Sequence, residues 1–309
     1  MKKKLFAGLI FISALLNTAC GNTVSLELEE QTSGQSTEAV TELITETEEP
    51  TTEPVPEDKS IRVVAVGDNL VQTGVYRCAQ NHSENGTGYN FRYCYENIID
   101  YIAQGDLKIL NQETLICNDE YEISGTNFNF NSPTELGDCM VNDVGFNVIT
   151  LANNHLLDKG IDGVRACLDY WDKMQTENEG LVVTGAFRNE ADQNDIRTIE
   201  VNGIDVAILS FTEHTNGYTL PSDTEYRIIY TYDEELMQAQ IQGAKEIADV
   251  VIVASHWGVE DTHWVSDAVK DLAKKYVEWG ADVVIGNHPH TAQTMEQITA
   301  DNGNSGFVF

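Results

Sequence analysis

The chain has 309 residues, 41% of them hydrophobic and 8% aromatic, enough to bury the core of one large domain or two small ones. Collagen, coiled-coil arrays and wholesale disorder are excluded by that composition. Fifty Asp and Glu against eighteen Lys and Arg give a formal charge of -32, which repels phosphate backbones and anionic headgroups and excludes a nucleic-acid partner.

At the start of the chain, Lys2, Lys3 and Lys4 precede an apolar run from Leu5 to Leu16. That run is about twelve residues long, whereas a spanning helix needs about twenty. Closed by Asn17, Thr18, Ala19 and Cys20, it reads as an export signal, and the mature chain is expected to have no transmembrane helix. Cys20 behind small residues is similar to the lipobox of bacterial lipoproteins, where this Cys is acylated and becomes the new N-terminus; Asn17 stands where that pattern usually has Leu. The expectation is a signal peptide over residues 1-20, lipidation at Cys20, and an exported membrane lipoprotein facing outward. Residues 21-60 shift to Thr, Glu, Ser, Gln and Pro, too polar to offset the entropy of ordering them, and read as an acidic tether between the anchor and a folded domain over 61-309.

Strand and helix signals then alternate. A β-rich run from Ile61 to Val66 stops at Gly67-Asp68, and Phe91, Tyr95, Ile98, Ile99 and Ile102 share one face of a helix predicted over 91–103. Leu107 to Leu110 and Asn147 to Leu151 read as strands, the second followed by a helix marked by Ile161, Val164, Leu168 and Trp171. Strands are predicted at Ile204 to Phe211, Asp249 to Ala254 and Asp282 to Ile285, with helices from Glu234 to Ile247 and around Val265 to Val277 between them. Apolar runs flanked by amphipathic helices predict an α/β layered fold with largely buried sheets.

The polar residues fall at the strand ends, where open α/β sheets hold their ligands. Asp68 follows the first strand, Asn111 and Glu113 the second, Asn153, Asn154 and His155 the third; His256, His288 and His290 follow later ones. Each element alone is weak, since Gly-Asp is a common turn and an Asn before a helix is a common cap. Together they form an oxygen and imidazole set suited to a divalent ion such as Mn, Zn or Fe. His288-Pro289-His290, read as extended chain, directs both rings to one side. Beyond Cys20 the five cysteines show no Cys-x-x-Cys spacing, so a zinc knuckle is not indicated; export permits disulfides, and Cys78 with Cys94 is the most local pairing open to the chain.

Val66-Gly67-Asp68, Asn111-Gln112-Glu113-Thr114, Ala152-Asn153-Asn154-His155 with Asp158, His256-Trp257-Gly258-Val259-Glu260 and Gly286-Asn287-His288-Pro289-His290 together resemble the bacterial capsule synthesis proteins of the CapA type. That family is associated with poly-gamma-glutamate and distantly similar to calcineurin-like metallophosphatases. The resemblance implies an α/β calcineurin-like metallophosphatase fold, two packed mixed β-sheets flanked by helices. It implies metal positions at Asp68, Glu113, Asn154, His256, His288 and His290, and a catalytic pair in Asn154 and His155, with His155 as proton donor to the leaving group. Asn111, Asn153 and Glu260 are expected to contact substrate.

Two departures bear on the metal. Leu70 stands where the phosphoesterase pattern has the His of Asp-x-His, and Glu113 stands where it has a bridging Asp, so one ion or two are both open. The resemblance also implies that the domain continues past Phe307-Val308-Phe309, an apolar run expected inside the sheet beside strands that carry site residues. Two function classes follow. One is an envelope metallohydrolase or transferase acting on an anionic polymer such as poly-gamma-glutamate, at a phosphoester or a gamma-glutamyl amide. The other is a polymer-binding component working with other capsule synthesis proteins.

Overall fold

The structure is a computed structural model that describes residues 59–309 apart from 119, 127 and 128. The expected signal peptide, Cys20 and all but the last two residues of the tether lie outside the described residues. In chain order the strands are β1 (Val63–Asp68), β2 (Leu107–Asn111), β3 (Ser124–Thr126), β4 (Asn129–Asn131), β5 (Val148–Thr150), β6 (Val182–Thr184), β7 (Arg197–Val201), β8 (Ile204–Thr212), β9 (Val250–His256), β10 (Val283–Asn287), β11 (Glu296–Thr299) and β12 (Ser305–Val308). The α-helices are α1 (Thr73–Asn81), α2 (Arg92–Tyr95), α3 (Ile99–Ile102), α4 (Thr134–Asp138), α5 (Gly160–Glu177), α6 (Glu190–Asn194), α7 (Glu234–Ile247) and α8 (Asp267–Trp279).

Two large sheets form from these strands, with β3 and β4 paired separately as a short antiparallel ribbon. One large sheet, ordered β1-β2-β5-β6, is parallel throughout; the other, ordered β11-β12-β10-β9-β8-β7, is mixed, with β7 and β11 as its antiparallel edges. Parallel neighbours need crossovers, and the helices supply them: α5 between β5 and β6, α7 between β8 and β9, α8 between β9 and β10. Ile109, Val148 and Val182 of the first sheet meet Val206, Ile208, Ile252 and Ile285 of the second in an apolar core between the sheets. On the outer faces, Val164, Leu168 and Trp171 of α5 belong to the core of the first sheet, and Met237, Ile241, Tyr276 and Val277 of α7 and α8 to that of the second. Both faces of β9 are thus buried, which is why Val250 to Ala254 is continuously apolar instead of alternating. Each such aliphatic side chain contributes about 1.5–3 kcal/mol by leaving water. The expected α/β architecture of two packed sheets between helices is the one found, with the difference that both sheets are expected to be mixed and the β1-β2-β5-β6 sheet is parallel throughout.

Two local expectations change. The helix predicted over 91–103 is split into α2 and α3, joined by turns in which Ile98 N donates to the Tyr95 carbonyl and Tyr101 N to the Ile98 carbonyl. Asn97 and the β-branched pair Ile98-Ile99 are poor helix formers, and the apolar face they share can be buried without a continuous helix. The five described cysteines are free thiols, so Cys78 and Cys94 are not bridged. Phe307 and Val308 do lie in the sheet, paired with Val283 and Val284 of β10. Among the described residues no helix is long and apolar enough to cross a membrane.

Candidate metal centre

Parallel strands share a direction, so their carboxyl ends gather at one edge of the sandwich. Asp68 ends β1 opposite Asn111 of β2, and His256 ends β9 opposite Asn287 of β10. Glu113 sits two residues past β2 on a stitched segment: Gln112 N donates to the Thr150 carbonyl, Thr114 N to the Asn69 carbonyl, and Asn153 Nδ2 to the Gln112 carbonyl (3.0 Å). These constraints bring together residues from five strand ends, those of β1, β2, β5, β9 and β10.

Two groups of ligand-type atoms result. Glu113, His256 and His288 form one, and Asp68, Glu113 and His290 the other; within each group the atoms lie within 4.8 Å of one another. Glu113 is common to both, with Oε1 3.6 Å from His256 Nε2 and 4.0 Å from His290 Nε2. His256 Nε2 lies 3.1 Å from both Asn154 Oδ1 and His288 Nδ1. Asp68, Glu113, Asn154, His256, His288 and His290 are therefore brought together. Cys20 lies outside the described residues.

His288 and His290 differ from the extended reading. Both have left-handed backbone, φ 93° and 51°, and each ring joins a different group. The cause is Asp68: its Oδ2 accepts from His288 N (2.9 Å) and lies 3.0 Å from His290 Nδ1, so the chain curls around one carboxylate oxygen. Such backbone costs about 1–3 kcal/mol per residue and persists only where the surroundings impose it.

His155 lies at the side of the first group, Nε2 3.9 Å from Glu113 Oε1. Its Nδ1 is 2.9 Å from Asp158 Oδ2, and that carboxylate also accepts from Phe130 N (2.8 Å). Asp158 thereby holds the Nδ1–H tautomer and leaves Nε2 to face the cleft. Asn153 spends its amide on the loop, donating to Gln112 and Leu151 carbonyls while its Oδ1 accepts from His155 N. Asn111 is also buried and donates to Asp68 Oδ1 (2.7 Å), with His256 Nδ1 3.2 Å away. Both expected substrate contacts thus have their polar atoms engaged with protein groups. Glu260 is half-exposed at the rim, 3.9 Å from His288 Nδ1. The left-handed turn at Gly258, φ 97°, separates it from His256.

The electrostatics are uneven. Burial pushes Glu113 well above the usual carboxylate range, reinforced by Asp68, Glu260 and Asp158. Burial acts the same way on Asp68, but His256 and His290 outweigh it and hold that carboxyl far below its ordinary value. His256 is pushed down by burial, and His288 is pushed down to about 3 by burial and by His256 and His214 beside it. His290 is raised by its hydrogen bond to Asp68. Both Glu113 oxygens are buried and have no hydrogen-bond partner among the described residues. A buried carboxylate is tolerated when paired or ligating a metal, and neutral imidazoles are the form that ligates.

The sequence profile described as "Bacterial capsule synthesis protein PGA_cap" matches residues 62–309. The chain belongs to this family. "PGA biosynthesis protein CapA" of Bacillus subtilis (strain 168) is 32% identical over 158 residues, covering 51% of this chain and 40% of the relative. "Capsule biosynthesis protein CapA" of Bacillus anthracis is 28% identical over 247 residues, covering 78% and 57%. The chain thus spans about half the length of the curated relatives it matches. Among solved structures, a hypothetical protein from Thermus thermophilus overlaps with a TM-score of 0.43 at 15% identity, covering 80% of this chain and 73% of that one. A 5'-nucleotidase from Candida albicans SC5314 overlaps with a TM-score of 0.40 at 11% identity, covering 71% and 40%.

Within this PGA_cap domain the donor set fits a divalent ion: two neutral imidazoles, a third His, Asp68, Asn154 and the unpartnered Glu113. Three neighbours escaped the sequence reading. Glu213, His214 and Asn216 follow β8 just as His256 ends β9, so the strand-end rule that picks out His256 applies to them as well. A cavity of about 310 Å³ opens beside Asp68 and His290, walled by Trp257, Val269 and Ile285.

Proposed function

We propose that this PGA_cap protein is a metal-dependent hydrolase or transferase of the bacterial envelope, breaking a phosphoester or a gamma-glutamyl amide in an anionic capsule polymer such as poly-gamma-glutamate. The observation that carries the reading is Glu113, a buried carboxyl with both oxygens unpartnered amid His256, His288, His290 and Asp68. Those residues with Asn154 would hold one ion, or two sharing Glu113. When bound, the ion supplies Lewis acidity at the scissile group and an acidified water. The chain's own residues do the rest. Asp158 fixes the His155 ring through Nδ1, so that Nε2, when it carries a proton, is the atom that gives it to the departing oxygen or nitrogen. Asn111 and the His288 amide hold Asp68 in register with His256.

A screen of Mn-, Zn- and Fe-loaded protein against phosphodiester and gamma-glutamyl amide model substrates tests this. His155→Ala should keep its metal and lose about 100-fold to 10,000-fold in turnover. Metal retained by the wild type without turnover on either class would instead favour the polymer-binding component. The export reading of residues 1-20 supports an outward-facing lipoprotein anchored at Cys20. A Cys20→Ser variant should leave the membrane fraction or remain an uncleaved precursor, and unchanged detergent partitioning would refute the anchor.

A further inference from the structure

The segment after β8 arrives at the same edge as the metal residues. Thr212 pairs with His256, and Glu213 N donates to the His256 carbonyl (2.9 Å). From there the loop is fixed internally. Thr212 Oγ1 donates to the His214 carbonyl (2.9 Å), Asn216 N to His214 Nδ1 (3.3 Å), and Thr215 Oγ1 to the Tyr218 carbonyl (2.7 Å). Asn216 takes left-handed backbone at φ 49°, which Asn tolerates better than most residues.

This bracing presents two half-buried polar side chains. The His214 ring stands perpendicular to that of His288, centroids 5.3 Å apart, and the Asn216 carboxamide lies 3.4 Å from His155 Nδ1. One loop therefore touches both a member of the metal group and the proposed proton donor.

Hydrogen-bond accounting gives the polarity of the two side chains. Because His214 Nδ1 accepts from Asn216 N, the neutral ring carries its proton on Nε2 and donates there. His155 Nδ1 gives its proton to Asp158, so an Asn216 nitrogen facing it would set donor against donor. Half a turn of the isosteric carboxamide places the oxygen toward His155 and frees the NH2 group as a donor. Two N–H donors thus stand beside His288 and His155. N–H donors next to a cation-binding group suit an oxyanion whose charge the bound cation balances.

We propose that His214 and Asn216 are substrate-contacting residues that hold an oxyanion of the substrate, phosphoryl or carboxyl, between the metal group and His155. The inference rests on the metal-centre reading. Its test is calorimetric binding of two probes, inorganic phosphate and a gamma-linked glutamate oligomer, to the Mn-loaded full chain, with metal content measured on every sample. His214→Leu and Asn216→Ala should each weaken a bound probe about tenfold or more, the range for hydrogen bonds to charged groups, at unchanged metal content. His214→Gln retains an N–H donor and should recover most of the loss. An effect confined to phosphate assigns the phosphoryl group, and one confined to the oligomer assigns the carboxyl. Unchanged affinity for both probes at full metal content overturns the inference, as does a wild type that holds metal and binds neither. Equal losses in His214→Gln and His214→Leu overturn the donor role. A wild type that holds no metal fails the metal-centre reading, and this inference with it.

Discussion

At the scale of single residues, Glu113 is under opposed demands. Burial keeps its proton on in the metal-free protein well above the ordinary carboxylate range, whereas ligation needs it off. A raised carboxyl pKa means that between about 4.5 and its native value the native state binds more protons than the unfolded state, so Glu113 lowers stability progressively as pH rises across that window. Glu113→Gln removes that dependence. The metal-free variant should melt several degrees above the metal-free wild type at pH 8, about 2–4 °C for each kcal/mol recovered, with the gap closing towards pH 4.5. The same substitution should abolish metal retention. A variant no more stable than wild type at pH 8 in calorimetry would show that Glu113 is satisfied in some other way. Asp68 has the opposite sign. Held low by His256 and His290, it contributes stability above pH 3.8 that is lost as pH falls towards its native pKa.

At the scale of elements, the loop after β5 is held from below by β6. Gly185 follows β6 at φ 107°, and a Cβ there would lie 2.5 Å from Ala152 N, the residue that opens Asn153-Asn154-His155. Gly185→Ala therefore combines backbone strain of about 1–3 kcal/mol with a clash against main chain. It should lower the melting temperature and displace His155. Those effects are read by calorimetry and by a fall in turnover without equal loss of metal; wild-type values of both would contradict the packing argument. Elements bounded by long apolar periods were legible in the sequence: α7 spans Glu234–Ile247 as predicted, and β9 extends the predicted run only to Ser255 and His256. The break between α2 and α3 was not, because the periodicity of Phe91 to Ile102 marks a buried face without requiring an unbroken hydrogen-bond ladder. Nor was the curl at His288 and His290, which is imposed by Asp68, 220 positions away in sequence. His214 and Asn216 were within reach of the strand-end rule, but their role depends on contacts with His288 and His155 that only the assembled sheets create.

At the scale of the whole molecule, a formal charge of -32 sets the terms on which any polyanion can approach. Long-range repulsion slows encounter, and salt screens it over about 10 Å at 0.1 M. Association of the metal-loaded protein with poly-gamma-glutamate should therefore quicken as ionic strength rises, the reverse of a basic polyanion binder. Stopped-flow rates that fall with added salt would point to a basic contact surface on the protein. The two-sheet architecture gathers Asp68, Glu113, Asn154, His256, His288 and His290 from segments scattered along the domain, and the account stands or falls on whether they hold an ion. Metal content by plasma mass spectrometry, after dialysis against chelator-treated buffer, asks this most directly. At least one divalent ion per wild-type chain is expected, lost in His256→Ala and in His288→Ala and kept in His155→Ala. A metal-free wild type, or metal retained undiminished in His256→Ala and His288→Ala, would contradict it.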